Sequence, residues 1–342
     1  MAGSFAVFNV LGIQNTFNVS ASVFFPGYLQ FLEFYENPID FTQLTIPEYE
    51  YTVPGKWTHG NLSTNYEAIN QQNLKELIQI SNSNYTDLTY EGIIEEDKIP
   101  NLLELFQKIN YHFVNQHKFV NFEEFPQHEK IIYIGGIVVE KKGILTKREK
   151  TIPLLREPNC VVYVSFGTIN IEGMDVDNLK IMLDIFTNYG HCIFKVTLGE
   201  KHHLKRHYRK TNISFKGFVN QQKILGKENT KLFISHCGVN SLTESIYGGV
   251  PLICIPDGGD QFYLSSLVEH KNIGIFVLTN QNFSEQFGNA LGNIIGESSI
   301  NQNSYRRAVN KLRRKILNDF HDNNNPWIKD IFRHKIEEFI GE

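Results

Sequence analysis

Read from its amino end, the chain changes rhythm near residue 160. Before that point, apolar and polar positions follow no single period. Gly3 to Ile13 reads as a short buried helix and Thr16 to Phe25 as a β-rich stretch, while residues 66–81 and 99–111 carry apolar side chains at helical spacing. Two strand-like runs follow, Tyr111 to Asn115 and Ile131 to Ile134, the second closed by Gly135 and Gly136. Residues 138–158 combine a charge cluster with two prolines, the pattern of a linker. Beyond it the rhythm is regular. Continuous apolar, β-branched runs fall at Cys160–Phe166, Cys192–Thr197, Lys231–Ser235, Pro251–Ile255 and Ile273–Leu278. Segments of helical period separate them, at Val176–Tyr189, Ser241–Tyr247, Gln261–His270 and Glu285–Ile295. Apolar strands alternating with helices predict a parallel sheet covered on both faces, an α/β doubly wound architecture.

Composition narrows the function classes. A length of 342 residues suggests two domains, and 41% hydrophobic residues are too many for a disordered chain. The net charge of -4 and pI near 6.3 exclude an extended nucleic-acid surface, which needs clustered Lys and Arg. The one basic run, Lys201 to Lys210, reads as a solvated face or loop. Cys160, Cys192, Cys237 and Cys254 match no zinc spacing and read as buried free thiols. The N-x-S/T matches at Asn18, Asn61, Asn84, Asn212 and Asn282 read as chance in an Asn-rich chain. No apolar run reaches the ~18 residues of a membrane span, and the leading MAGSFAVFNVLGIQ lacks the basic start of a signal peptide.

A doubly wound sheet binds ligands at the carboxyl ends of its strands, so the chemistry is sought just after each apolar run. After Lys231–Ser235 come His236, Cys237, Gly238, Val239, Asn240 and Ser241, then Glu244. A glycine turn into a helix starting at Asn240 or Ser241 would aim free N–H groups at an anion, with His236 as a further donor. Ser241 and Glu244 also have capping-box spacing, which needs no ligand. Ser165, Phe166, Gly167 and Thr168 close the first strand with a glycine and hydroxyls. Pro256 to Gln261 closes another, where two glycines bring Asp260 and Gln261 forward as partners for sugar hydroxyls. No G-x-G-x-x-G follows the first strand, which argues against a dinucleotide site.

At these residues the sequence resembles the UDP-glycosyltransferases, which include the UDP-glucuronosyltransferases. Phe233 to Gln261 (FISHCGVNSLTESIYGGVPLICIPDGGDQ) looks like their donor-binding motif, and Val161 to Thr168 (VVYVSFGT) like the first strand and loop of their C-domain. Residues 113–137 resemble the end of their N-domain, and Trp327 to Lys335 the helix that follows the C-domain. From residue 113 onward the likeness is nearly continuous; before that it is weak. It implies a GT-B-type fold of two Rossmann-like doubly wound domains, the first incomplete. Residues 1–137 would be a partial acceptor-side domain, 138–158 a linker, 159–319 the UDP-sugar domain and 320–342 a helix crossing back toward the first.

The resemblance also implies roles. His236 contacts the diphosphate, supported by Gly238, Asn240, Ser241 and the helix start, with Ser165, Gly167 and Thr168 nearby; Glu244 holds the ribose, Asp260 and Gln261 the sugar, and Phe218 and Gln221 the uracil. UDP-sugar is then a co-substrate, with no separate cofactor and no metal. The expected reaction is inverting transfer of a hexose or glucuronate to a hydroxyl of a small lipophilic acceptor. Phe218 stands where the family usually has Trp, Asn220 where it has Pro, Cys237 where it has Gly and Leu264 where it has Asn. The thiol of Cys237 is expected to crowd the phosphate.

The family's base is a histidine held by an aspartate. Gly3 to Phe17 is expected to align with the elements after that aspartate; both members would then fall before Met1, and no catalytic residue is assigned. His59, His112, His117 and His128 lack the strand-loop-helix setting. The secretion signal and membrane anchor of these typically ER-anchored enzymes are expected to be missing, so no location is assigned. The alternative reading is an inactive member that binds UDP-sugar or pairs with full-length relatives.

Overall fold

The computed structural model describes residues 2–34, 102–154, 157–167, 174–198, 202–208, 211–296, 303–321 and 327–340, with short pieces between 39 and 92. Two parallel sheets organise them. The first is small, in the order β1 (Phe17–Ser20), β2 (Tyr111–Val114), β3 (Ile131–Tyr133). α1 (Ala2–Val10) precedes it and α2 (Leu102–Lys108) leads into β2. The expected helix at 66–81 lies mostly outside the described residues.

The second sheet holds β4 (Val161–Ser165), β5 (Ile193–Thr197), β6 (Ile213–Lys216), β7 (Thr230–Ser235), β8 (Leu252–Cys254) and β9 (Gly274–Phe276). Its spatial order is β6-β5-β4-β7-β8-β9, all parallel. The chain builds outward from β4 to β6, then returns to lay β7 beside β4 and builds the other way. The topological switch point therefore lies between β4 and β7.

Strand periodicity explains why both faces are covered. Tyr163, Phe233 and Leu252 point into one core, while Val162, Val164, Leu232, Ile234 and Ile253 point into the other. The first core is shared with the small-sheet half through Val23, Phe24, Val120, Phe122 and Phe125, and with α6 (Val239–Gly248), α7 (Gln261–His270) and α9 (Ser304–His321). The second is covered by α4 (Val176–Thr187) and α8 (Phe283–Ile295). α10 (Ile328–Ile340) returns to the first sheet, where Ile328, Phe332 and Ile336 pack with Phe113 and Ile134.

Several expectations are corrected. β6 escapes periodicity because its four residues, ISFK, pair on one side only, at the sheet edge, and carry just two apolar side chains. The segment read as a linker begins as α3 (Ile137–Lys142), entered at Gly136 and closed by Gly143, both left-handed. The expected boundary at residue 319 falls inside α9. α5 (Gln221–Leu225) is too short for its period to register. The cysteines are buried but not free: Cys160 bridges Cys192 and Cys237 bridges Cys254. Sequence spacing hides these pairs because parallel strand register brings them together. Ile193, next to Cys192, stands opposite Val161, and Cys254 stands opposite Ser235.

Candidate functional site

A cavity of about 850 Å³ opens at the switch point, within the ~300–1,000 Å³ common for small-molecule sites. Its walls come from the carboxyl ends of β4, β5, β7 and β8, as the topology requires. Ser165, Gly167, Phe218, Gln221, His236, Gly238, Asn240, Ser241, Glu244, Asp260 and Gln261 all line it. Thr168 lies outside the described residues.

The turn after β7 is fixed locally. Ser235 Oγ accepts a hydrogen bond from Cys237 N at 3.1 Å, and Cys237 takes a left-handed φ of 61°. Such a φ is easiest for glycine. Cys237 tolerates it with its side chain fully buried and bridged to Cys254, so the thiol does not crowd the cavity. The helix starts earlier than expected, at Val239, and its N-cap, Gly238, has no side chain to offer. The Val239 N–H of the first turn instead faces the Asp260 carboxylate. The capping-box reading of Ser241 and Glu244 fails, because position 241 lies inside the helix and Glu244 is engaged elsewhere.

His236 sits between two glycines. A Cβ added at Gly167 would meet its ring at 2.9 Å and one at Gly238 would meet it at 2.8 Å, so both positions need glycine for the imidazole to fit. Burial lowers the pKa of His236, against a smaller opposing pull from Asp257. The ring is therefore neutral near pH 7, able to offer one N–H to an anionic oxygen. It is the one imidazole among the described lining residues.

Glu244 is oriented by two amides: Gln221 Nε2 donates to its Oε2 and Gln222 Nε2 to its Oε1, each at 2.7 Å. Asn220 caps α5 by accepting from Lys223 N at 3.1 Å, which sets both glutamines on the first turn. The sequence reading missed Gln222, though its place beside Gln221 was a signal. Phe218 stands at the rim, 81% exposed, an open aromatic face. Gln261 Oε1 accepts from Asp257 N at 2.8 Å and closes the turn between β8 and α7. Asp260 N-caps α7 in position only; its Oδ2 accepts from Ser22 Oγ at 2.6 Å. Burial raises the pKa of Asp260, with the Ser22 hydrogen bond acting the other way.

Other histidines lie off the cavity. His112 is fully buried in β2 with Nδ1 3.2 Å from Asn18 Nδ2, between the rings of Phe24 and Phe106. His117 Nδ1 accepts from Phe119 N at 3.2 Å, and His128 Nε2 lies 3.0 Å from the Glu33 carbonyl oxygen. His59 lies outside the described residues. Among the described residues, no helix is long and apolar enough to cross a membrane.

The chain is 24% identical over 244 residues to the putative UDP-glucuronosyltransferase ugt-50 of Caenorhabditis elegans, covering 70% of the chain and 46% of that relative. It is 24% identical over 265 residues to UDP-glucuronosyltransferase 1A6 of Oryctolagus cuniculus, covering 74% and 46%. The chain thus spans about half the length of the curated relatives it matches. Among solved structures, Os79 from O. sativa in complex with UDP shares the fold, with a TM-score of 0.55 and 23% identity over 69% of this chain and 57% of that one. The profile described as UDP-glucoronosyl and UDP-glucosyl transferase matches residues 53–338, and the chain belongs to that family.

Proposed function

We propose that the cleft binds a UDP-sugar and that the chain supplies the donor half of a metal-independent, inverting transfer of a hexosyl or glucuronosyl group. The acceptor is a hydroxyl of a small lipophilic molecule. The observation that carries this reading is the convergence of His236 and the first turn of α6 on one cavity that also holds two carboxylates, Glu244 and Asp260. The helix start and a neutral imidazole N–H suit a diphosphate. Glu244, beside the exposed ring of Phe218, suits ribose hydroxyls next to a stacked base, and Asp260 with Gln261 suits the sugar. On this reading the division at residues 138–158 separates an acceptor-side half from the donor half.

In the transfer, the acceptor hydroxyl gives up its proton to a base and its oxygen bonds to the anomeric carbon. The bond from that carbon to the β-phosphate oxygen breaks and its electron pair leaves with UDP. Donors already aimed at the diphosphate stabilise the charge that develops there.

Calorimetric titration with UDP, UDP-glucose and UDP-glucuronate tests the reading. His236→Ala is expected to weaken UDP binding by about 1.5–3 kcal/mol, the value of a hydrogen bond to a charged group. Gln261→Ala is expected to leave UDP nearly unchanged and to weaken the nucleotide sugar. Equal losses for plain UDP would refute these roles.

One observation favours a second reading, donor binding without transfer by this chain alone. Among the described residues, no imidazole other than His236 reaches the cleft. With no base placed among the described residues, the chain is expected to transfer sugar to phenols about 10²–10⁴-fold more slowly than a general-base enzyme, while still binding UDP. Robust transfer in that assay would assign the base to a group outside the described residues, His59 among them.

A further inference from the structure

The cleft is bridged from the first-sheet side at two points, and both lead to residues of the donor wall. Ser22, in the loop after β1, donates its hydroxyl hydrogen to Asp260 Oδ2 at 2.6 Å, across 238 residues of sequence. Asn115, at the end of β2, fixes that loop. Its backbone N donates to Ser22 O at 2.9 Å and its side-chain Nδ2 to Ala21 O at 3.0 Å. The same Nδ2 also donates to Asn240 Oδ1 at 2.9 Å, in the first turn of α6.

We propose that Ser22 is a positioning residue for sugar recognition: its hydroxyl holds Oδ2 of Asp260 and so fixes the direction in which that carboxylate faces the cleft. This rests on the donor-site reading above and extends it across the cleft. A carboxylate has two oxygens and free rotation about its last bond, so one strong hydrogen bond fixes the direction of the second oxygen. Burial works against the charged form of Asp260, and the Ser22 hydrogen bond favours it. A sugar hydroxyl would then meet an oriented acceptor. Recognition of the sugar then depends on contact between the two halves at Ser22 and Asp260, while Asn115 touches the first turn of α6 on the nucleotide side. Asn115 supports this by holding the Ala21–Ser22 backbone in place.

The test is calorimetric titration of the full chain with UDP and with whichever of UDP-glucose and UDP-glucuronate the unmodified protein binds more tightly. Ser22→Ala is expected to weaken the nucleotide sugar roughly five- to tenfold, about one hydrogen bond, and to leave UDP affinity unchanged. Ser22→Thr, which keeps the hydroxyl, is expected to restore it. Unchanged nucleotide-sugar affinity in Ser22→Ala overturns the proposal. So does an equal loss for UDP, or failure of Ser22→Thr to recover what Ser22→Ala loses, since either outcome assigns Ser22 a packing role. If the unmodified protein binds no UDP, the donor-site reading falls and this one falls with it.

Discussion

Replacing Arg313 with alanine is expected to destabilise the fold by about 2–4 kcal/mol, from lost hydrogen bonds to a charged group and the void left behind. Arg313 lies on α9, only 8% exposed, and donates to three backbone carbonyls: Nε to Tyr247 O at 2.7 Å, Nη1 to Arg148 O at 3.1 Å and Nη2 to Lys147 O at 2.6 Å. Tyr247 is in the last turn of α6, where carbonyls lack helical partners and the helix dipole is negative. One guanidinium therefore ties α9 to the far end of the helix whose start faces the cavity, and to the segment that joins the two sheets. Gly249, the left-handed residue that closes α6, leaves room for it; a Cβ there would meet Arg313 Cδ at 2.8 Å. Alanine would strand the Tyr247 carbonyl, the acceptor of the buried bond, and leave a void. Arg313→Lys is expected to recover only part of the loss, because an ammonium head cannot span the three acceptors in that fork geometry. Urea midpoints of the three proteins measure this. A loss under about 1 kcal/mol for Arg313→Ala would mean that water takes over the carbonyls.

The second sheet and its cavity were legible in the sequence because buried parallel strands are written as continuous apolar runs. All five runs became strands, and the ends of four of them line the cavity. What escaped lies where local pattern and tertiary context diverge. β6 carries little apolar signal at an edge, and α5 is only five residues long. The Cys237–Cys254 bridge depends on register between β7 and β8, which no spacing rule encodes. The left-handed Cys237 is the clearest case. From sequence, a side chain at a usual glycine position implies crowding of the site; in the structure the required φ is met and the side chain is turned into the core. Glu244 was legible as polar and near the site, but its capping role was inferred from spacing alone. The glutamines that hold it sit on another element, Gln221–Leu225, and only the fold brings them within reach. Ser22 and Asn115 were invisible for the same reason, since nothing in either segment points to residues 240 and 260.

Acidification from about pH 7.5 to 4.5 is expected to weaken the fold by a net ~2–3 kcal/mol through two buried histidines, offset in part by one buried glutamate. Burial lowers the pKa of His112 from 6.5 to about 3, with Lys130 and His128 adding to it. Burial likewise lowers His117 to about 4, with Lys118 adding and Asp319 opposing. The unfolded chain then binds more protons than the folded one, so these sites lose stability as pH falls through 6.5 toward their folded values, each by about 2.5 kcal/mol at pH 4.5. Glu140 runs the other way. Its carboxylate accepts from Ile328 N at 3.0 Å, at the start of α10, and burial raises its pKa from 4.5 to about 7. The folded state holds a proton that the unfolded state has released, so its stabilising effect is present below about 4.5 and lost as pH rises to 7. On acidification Glu140 recovers about 3 kcal/mol, roughly what one histidine loses. Three variants separate these contributions. His112→Asn keeps an acceptor for Asn18 and is expected to flatten the acid slope, and His117→Asn should do the same. Glu140→Gln can still accept from Ile328 N; it should raise stability at pH 7.5 and steepen the loss toward pH 4.5. Urea midpoints followed by tryptophan fluorescence at a series of pH values give the slopes. If His112→Asn and His117→Asn both keep the slope of the unmodified protein, acid sensitivity resides elsewhere and the buried imidazoles are not its source.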